Sequence, residues 1–180
     1  MPWKKFRTSQ QTISLPFTYI IFSKDWHTKL TSPQCEQPVR MSVNIALLGS
    51  GVFALNAHLP ALLKSPSSTF HTVWSRTETS AQKLCDASGL KPRMLFGEDG
   101  LEKVLADPEV QAVIIVLPIE RQPEYIRKAW DGGKHVLSEK PLAPDVNMAK
   151  ELIKEYEEKY APKGLIWRVA ESELKAFLPI

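Results

Sequence analysis

The chain has 180 residues and a mass of 20.3 kDa, the size of one ordinary domain. With 43% hydrophobic and 24% charged residues it can bury a core, and no apolar run approaches the roughly 18–20 residues that span a bilayer, so a membrane-embedded class is excluded. The net charge of +3 resides in residues 1–40, where six Lys or Arg face two acids for +4, and the −1 left for the rest argues against an electrostatic nucleic-acid binder.

Residues 1–40 hold four prolines, many Ser, Thr and Gln and no long amphipathic period, whereas all eight glycines lie beyond residue 48. That segment reads as a disordered extension. Its apolar stretch at 19–22 is too short for a secretory signal, but a basic, acid-poor, Ser/Thr-rich start also matches a mitochondrial transit peptide. Met41, directly before the first regular element, is a third reading, as the natural start. The expected location is cytoplasmic, or mitochondrial if the leader is a transit peptide. Two cysteines, Cys35 and Cys85, fit a reducing compartment and supply neither a disulfide framework nor a zinc site.

From residue 41 short apolar runs alternate with helical periods, the pattern of a parallel sheet flanked by helices. Val43–Leu48 reads as a buried first strand, 52–64 as a helix kinked at Pro60, and 70–74 as a second strand. Ala81, Leu84, Cys85 and Ser88 share a helical face that Gly89 closes. Asp99 and Glu102 have the spacing of a capping box ahead of a stripe of Leu101, Val104 and Leu105, which Asp107 and Pro108 end. Residues 112–117 (AVIIVL) form the strongest strand, apolar without alternation and therefore central. Pro123 opens a helix with Ile126, Ala129 and Trp130 on one face and Gly132–Gly133 as its stop, and His135–Ser138 is the next strand. Asp145 caps a helix reaching to about Tyr160, with Met148, Leu152, Ile153, Tyr156 and Tyr160 inward, and 164–170 is the last strand.

The sharpest motif is Gly49-Ser50-Gly51-Val52-Phe53-Ala54, a G-x-G-x-x-A that leaves a strand and opens a helix. Gly49 permits a tight turn, Gly51 has no side chain to block a pyrophosphate, and Ala54 lets the helix pack on the strand. Free N–H groups at the helix start then face the phosphates of a dinucleotide. At the end of the second strand, where an NAD site carries an acid, stand Ser75 and Arg76; Ser75 can donate a hydrogen bond and Arg76 can pair with a 2′-phosphate, which favours NADP over NAD unless Glu78 takes the acidic role. A second constellation, His135-Val136-Leu137-Ser138-Glu139-Lys140-Pro141, runs a strand into an acid, a base and a proline at the edge where open sheets bind ligands. Lys140 could reach a cofactor ribose and a substrate hydroxyl together and ease alkoxide development, with Glu139 fixing the lysine in place; the alternative is a plain surface ion pair. His58, His71, Cys85 and Trp130 are read as packing or ordinary surface residues, without metal-ligand spacing.

Together the G-x-G-x-x-A turn, His58-Leu59-Pro60, the step LADPEVQAVIIVLP and the segment GGKHVLSEKPLA resemble the Gfo/Idh/MocA oxidoreductases over about residues 42–170. The resemblance implies a doubly wound α/β Rossmann domain over 41–170 that binds NAD(P). In the family a C-terminal α/β domain follows, which covers the nicotinamide and supplies most of the substrate site; against that pattern the chain is expected to lack this domain, with 171–180 as a truncated tail. Carried over by motif, Gly49, Gly51, Val52, Phe53 and Ala54 contact the pyrophosphate, Ser75 and Arg76 the adenosine ribose, and Leu117 and Pro118 the nicotinamide side. Glu139 and Lys140 form the signature pair, with Lys140 as the catalytic residue. Ile119 and Gln122 depart from the family, many members having Asn and His there. The implied activity is hydride transfer on a sugar, polyol or related carbonyl compound, in a form that keeps nucleotide binding without turnover of its own. The alternative is a catalytically silent dinucleotide-binding module that acts through a partner. The expected partners are a nicotinamide dinucleotide and, at full length, a small-molecule substrate, with no nucleic acid, no membrane and no metal; self-association is left open.

Overall fold

The computed structural model describes residues 42–171, so the readings of 1–40, of Met41 and of the tail 172–180 lie outside the described residues. Six strands form one sheet in the order β3-β2-β1-β4-β5-β6, every neighbouring pair parallel. They are β1 (Val43–Leu48), β2 (Ser68–Ser75), β3 (Arg93–Phe96), β4 (Ala112–Ile115), β5 (His135–Ser138) and β6 (Trp167–Val169). The helices are α1 (Leu59–Lys64), α2 (Glu78–Ser88), α3 (Gly97–Ala106), α4 (Gln122–Asp131) and α5 (Val146–Glu155).

Both faces of the sheet are covered, which explains why β1 and β4 are apolar without alternation. Ala46, Leu48, Val113 and Ile115 point into a core shared with Leu101, Ile126, Ala129, Trp130 and Leu152 of α3, α4 and α5. Leu47 and Ile114 point the other way, into a core with Ala54, Leu59, Leu62, Leu84 and Cys85. The fold is thus the doubly wound α/β arrangement expected from the sequence. Among the described residues no helix is long and apolar enough to cross a membrane.

Most predicted elements stand where the pattern put them, and the differences have physical causes. The helical stretch over 52–64 is not simply kinked at Pro60. A π segment, Ala54–His58, precedes α1, and this wider turn accommodates a proline that has no N–H to donate backward. β3 was not foreseen: its four residues are half-buried or exposed at the sheet edge and carry no alternation. The Asp99 capping box is corrected, because α3 begins at Gly97 behind an extended Phe96 that makes no side-chain cap. Asp99 instead sits with Glu98 in the first turn, where a carboxylate favours the positive end of the helix dipole. α5 does start at Asp145, whose Oδ1 accepts from Asn147 N at 2.8 Å and Met148 N at 2.9 Å. It passes into a second π segment, Tyr156–Tyr160, and Ile153 lies exposed rather than inward.

Candidate functional site

Chain connections leave β1 and β4 toward opposite faces of the sheet, so their carboxyl ends open a crevice at the point where strand order reverses. Gly49 forms its floor. The Gly49 N–H donates to Trp74 O at 2.9 Å, its φ is 111°, and a Cβ there would lie 2.1 Å from Val116 O. No other residue fits. Gly51 is the opposite case, since a Cβ on it would meet nothing within 4 Å. Packing within the chain does not demand a glycine there, and the backbone at Gly51 lies open to approach.

The N–H groups of residues 52–54 precede the first helical bond at this end, from Leu55 N to Gly51 O at 3.1 Å, and so remain for an anionic group. Ala54 is fully buried against the sheet, while Val52 and Phe53 hold their side chains outward, 75% and 56% exposed. This combination of bare backbone, helix start and small buried residue fits a pyrophosphate. Ser50 Oγ and Ser75 Oγ share a 2.8 Å hydrogen bond that ties the turn to the end of β2, so Ser75 is buried and already engaged. Arg76 follows it, exposed, and Glu78 is the first residue of α2, behind the Thr77 cap.

Beyond β4 the ladder continues one step, with Val116 N donating to Leu48 O at 2.8 Å, before Leu117 and Pro118 turn the chain over the crevice. Arg121 N to Pro118 O at 2.9 Å closes that turn. Gln122, one of the two departures from the family pattern, is 1% exposed, and its Nε2 donates to Pro141 O at 3.1 Å. The site therefore uses Gln122 to hold the loop after β5.

At the end of β5, Ser138 Oγ accepts from Trp167 Nε1 at 3.0 Å and Glu139 N donates to Ile115 O at 3.2 Å, which sets the start of the loop firmly against β4 and β6. Glu139 makes two contacts in this loop. Its Oε1 receives a hydrogen bond from His58 Nε2, and its Oε2 accepts the backbone N–H of Lys140 at 3.2 Å. The Lys140 ammonium goes to Glu171 Oε1 at 3.1 Å. Glu139 thus holds the backbone of the lysine. The residue that sequence reasoning missed is His58: it lies 81 positions before Glu139, on the first helical stretch, and nothing but the folded sheet brings the two together. Its ring also stands edge-on to Phe53, centroids 5.7 Å apart.

The remaining candidates keep their plain readings. Cys85 is buried, and burial pushes its thiol above the ordinary range, which makes it a poor nucleophile. Trp130 is core.

Comparison with known proteins agrees with this fold. A family described as oxidoreductase family, NAD-binding Rossmann fold, matches residues 43–162. Dehydrogenase FPY6 of Fusarium mangiferae is 38% identical over 135 residues, 72% of this chain and 38% of that protein. The dTDP-3,4-didehydro-2,6-dideoxy-alpha-D-glucose 3-reductase of Actinomadura kijaniata is 31% identical over 123 residues, 68% of this chain and 34% of its own. A crystal structure of KijD10, a 3-ketoreductase from the same organism in complex with NADP and TDP-benzene, superposes with a TM-score of 0.64 at 26% identity, covering 75% of this chain and 40% of that one. The chain therefore spans well under half the length of these relatives.

Proposed function

Since the chain belongs to the Gfo/Idh/MocA oxidoreductase family, we propose that its crevice binds a nicotinamide dinucleotide, NADP in preference to NAD, and that it serves hydride transfer on a sugar, polyol or related carbonyl compound. The observation that carries this reading is the turn Gly49-Ser50-Gly51: one glycine is demanded by the chain's own packing, and the next, which packing does not demand, leaves the backbone open to a ligand from outside. Bound there, the coenzyme would supply the hydride or accept it.

The chain's own residues supply the rest. Gly51 and the N–H groups of Val52, Phe53 and Ala54 hold the pyrophosphate, and the helix dipole favours its charge. Arg76 pairs with the 2′-phosphate of NADP, where a carboxylate would repel it, and Ser75 supports the adenosine ribose. Leu117 and Pro118 border the nicotinamide and exclude water from that side. Glu139 fixes the backbone of Lys140, whose ammonium would donate to the nicotinamide ribose and to the substrate oxygen and offset the negative charge that develops there. In the single chain that ammonium rests on Glu171. Exchange of this exposed ion pair for the ligand costs little, because such pairs contribute about 0–1 kcal/mol.

Calorimetric titration of the full chain with NADPH and NADH tests the reading directly. NADPH is expected to bind the more tightly, and Arg76→Ala to weaken it roughly tenfold or more, the worth of one charge-assisted bond to phosphate, with little change for NADH. Absence of heat with either coenzyme refutes the proposal. Turnover followed at the nicotinamide absorbance over a panel of sugars and polyols defines the substrate class, and Lys140→Ala should remove any that is seen.

A further inference from the structure

We propose that His58 and Gln122 are positioning residues for Lys140, gripping the Glu139-Lys140-Pro141 turn from its two flanks; the inference rests on the coenzyme reading above and extends it to two residues with no assigned role. His58 stands on the first helical stretch, after β1, and donates through Nε2 to Glu139 Oε1; its side chain is 10% exposed and that of Glu139 12%. Gln122 opens α4, after β4, and donates through Nε2 to Pro141 O at 3.1 Å. The two donors stand on the helical elements that follow the two strands bordering the crevice, and their acceptors belong to the residues immediately before and immediately after Lys140.

The geometry has a direct consequence for the lysine. With Oε1 of Glu139 engaged by His58, Oε2 is turned to the backbone N–H of Lys140, and Pro141 O is fixed from the opposite side. The peptide unit that joins Glu139 to Lys140 is thereby set, and so is the one that follows Pro141, which brackets Lys140 and leaves its flexible side chain to exchange Glu171 for a ligand. A side chain with four rotatable bonds reaches a ligand efficiently only from a fixed backbone, since every degree of freedom left open must be ordered on binding. An alternative in which these bonds merely stabilise the fold predicts a different coupling, and that difference is measurable.

The test is a double-mutant cycle read by NADPH affinity on the full chain. Gln122→Met keeps the volume and deletes the hydrogen bond; His58→Leu deletes the other; Lys140→Met removes the ammonium. Lys140→Met is expected to weaken NADPH about tenfold, as loss of one hydrogen bond from a charged group does. If His58 and Gln122 act through Lys140, each loses several-fold in affinity in the native background and almost nothing further in the Lys140→Met background. His58→Gln, which returns a donor near the Nε2 position, is expected to restore affinity, and it also covers the case in which His58→Leu, having stranded a buried carboxylate, does not fold. Full additivity of Gln122→Met with Lys140→Met, or failure of His58→Gln to differ from His58→Leu, overturns the positioning role while NADPH binding itself stands. Loss of NADPH binding by the unaltered chain would instead overturn the coenzyme reading, and this inference with it.

Discussion

Two glycines one residue apart should respond in opposite ways to the same change. Gly49→Ala forces a Cβ to 2.1 Å from Val116 O on a backbone with φ 111°, which no small shift relieves. A loss of at least about 3 kcal/mol in urea unfolding is expected, or failure to fold. Gly51→Ala meets open space, so its unfolding midpoint should stay within about 0.5 kcal/mol of the parent while NADPH affinity falls. Equal destabilisation by the two would refute the division of labour between them. Both glycines were legible in the sequence, because a strand, a turn and a helix start each leave a local mark. The partner of Glu139 was not legible, since Glu139 and His58 are 81 residues apart and neither type nor spacing names the pairing. Gln122 was visible only as a departure; its hydrogen bond to Pro141 O, which explains it, depends on the closeness of two loops.

Among the elements, α5 offers the plainest energetic test. Leu152 is fully buried in the core that contains Trp130, Tyr160 and Trp167, so Leu152→Ala should cost about 2–4 kcal/mol, whereas Lys150→Ala, on the exposed face, should stay within about 0.5 kcal/mol. Denaturant midpoints of the two variants decide it. Elements with strong amphipathic or wholly apolar patterns, such as β1, β4, α2 and α5, could be read from the chain with their ends nearly right. β3 could not, because four edge residues bury too little to impose a pattern. The start of α3 was misplaced for a related reason: Asp99 has the right spacing for a cap, but the chain turns at Gly97, with φ 68°, and so begins the helix earlier.

At the level of the whole molecule, stability should fall as the solution is acidified through the histidine range, before the carboxylates titrate. His135, at the start of β5, accepts Ile166 N at Nδ1 over 3.0 Å, and burial holds its pKa below the ordinary 6.5. The unfolded chain therefore binds the proton more readily than the folded one. This contribution is complete above pH ~6.5 and is lost progressively as pH drops from there toward the depressed folded value. A second loss belongs to lower pH, where Asp107, held down mainly by the Glu109 N–H, and Glu155, held down mainly by Arg127, are protonated. His135→Asn, which keeps an acceptor near Nδ1 without a titrating ring, is expected to flatten the upper step and leave the lower one; an unchanged profile between pH 5 and 7 would be inconsistent with this assignment. The doubly wound fold was legible at this scale because beat and boundaries repeat along the chain. Which loop braces which across the crevice was decided by strand order, a property of the assembled sheet.

Among the described residues the indoles of Trp74, Trp130 and Trp167 are 0%, 2% and 7% exposed, and Trp130 lies 4.9–5.4 Å from the rings of Tyr156, Tyr160 and Trp167. Their emission should be short in wavelength when the chain is native and shift to the red as water reaches them. Trp74 meets the Gly49 turn through its backbone carbonyl, which takes that residue's N–H, while its indole donates to Gly97 O at 2.8 Å. A dihydronicotinamide absorbs in the band where buried tryptophan emits, so NADPH bound in the crevice should quench indole emission under ultraviolet excitation and gain fluorescence of its own, giving an optical titration without any attached dye.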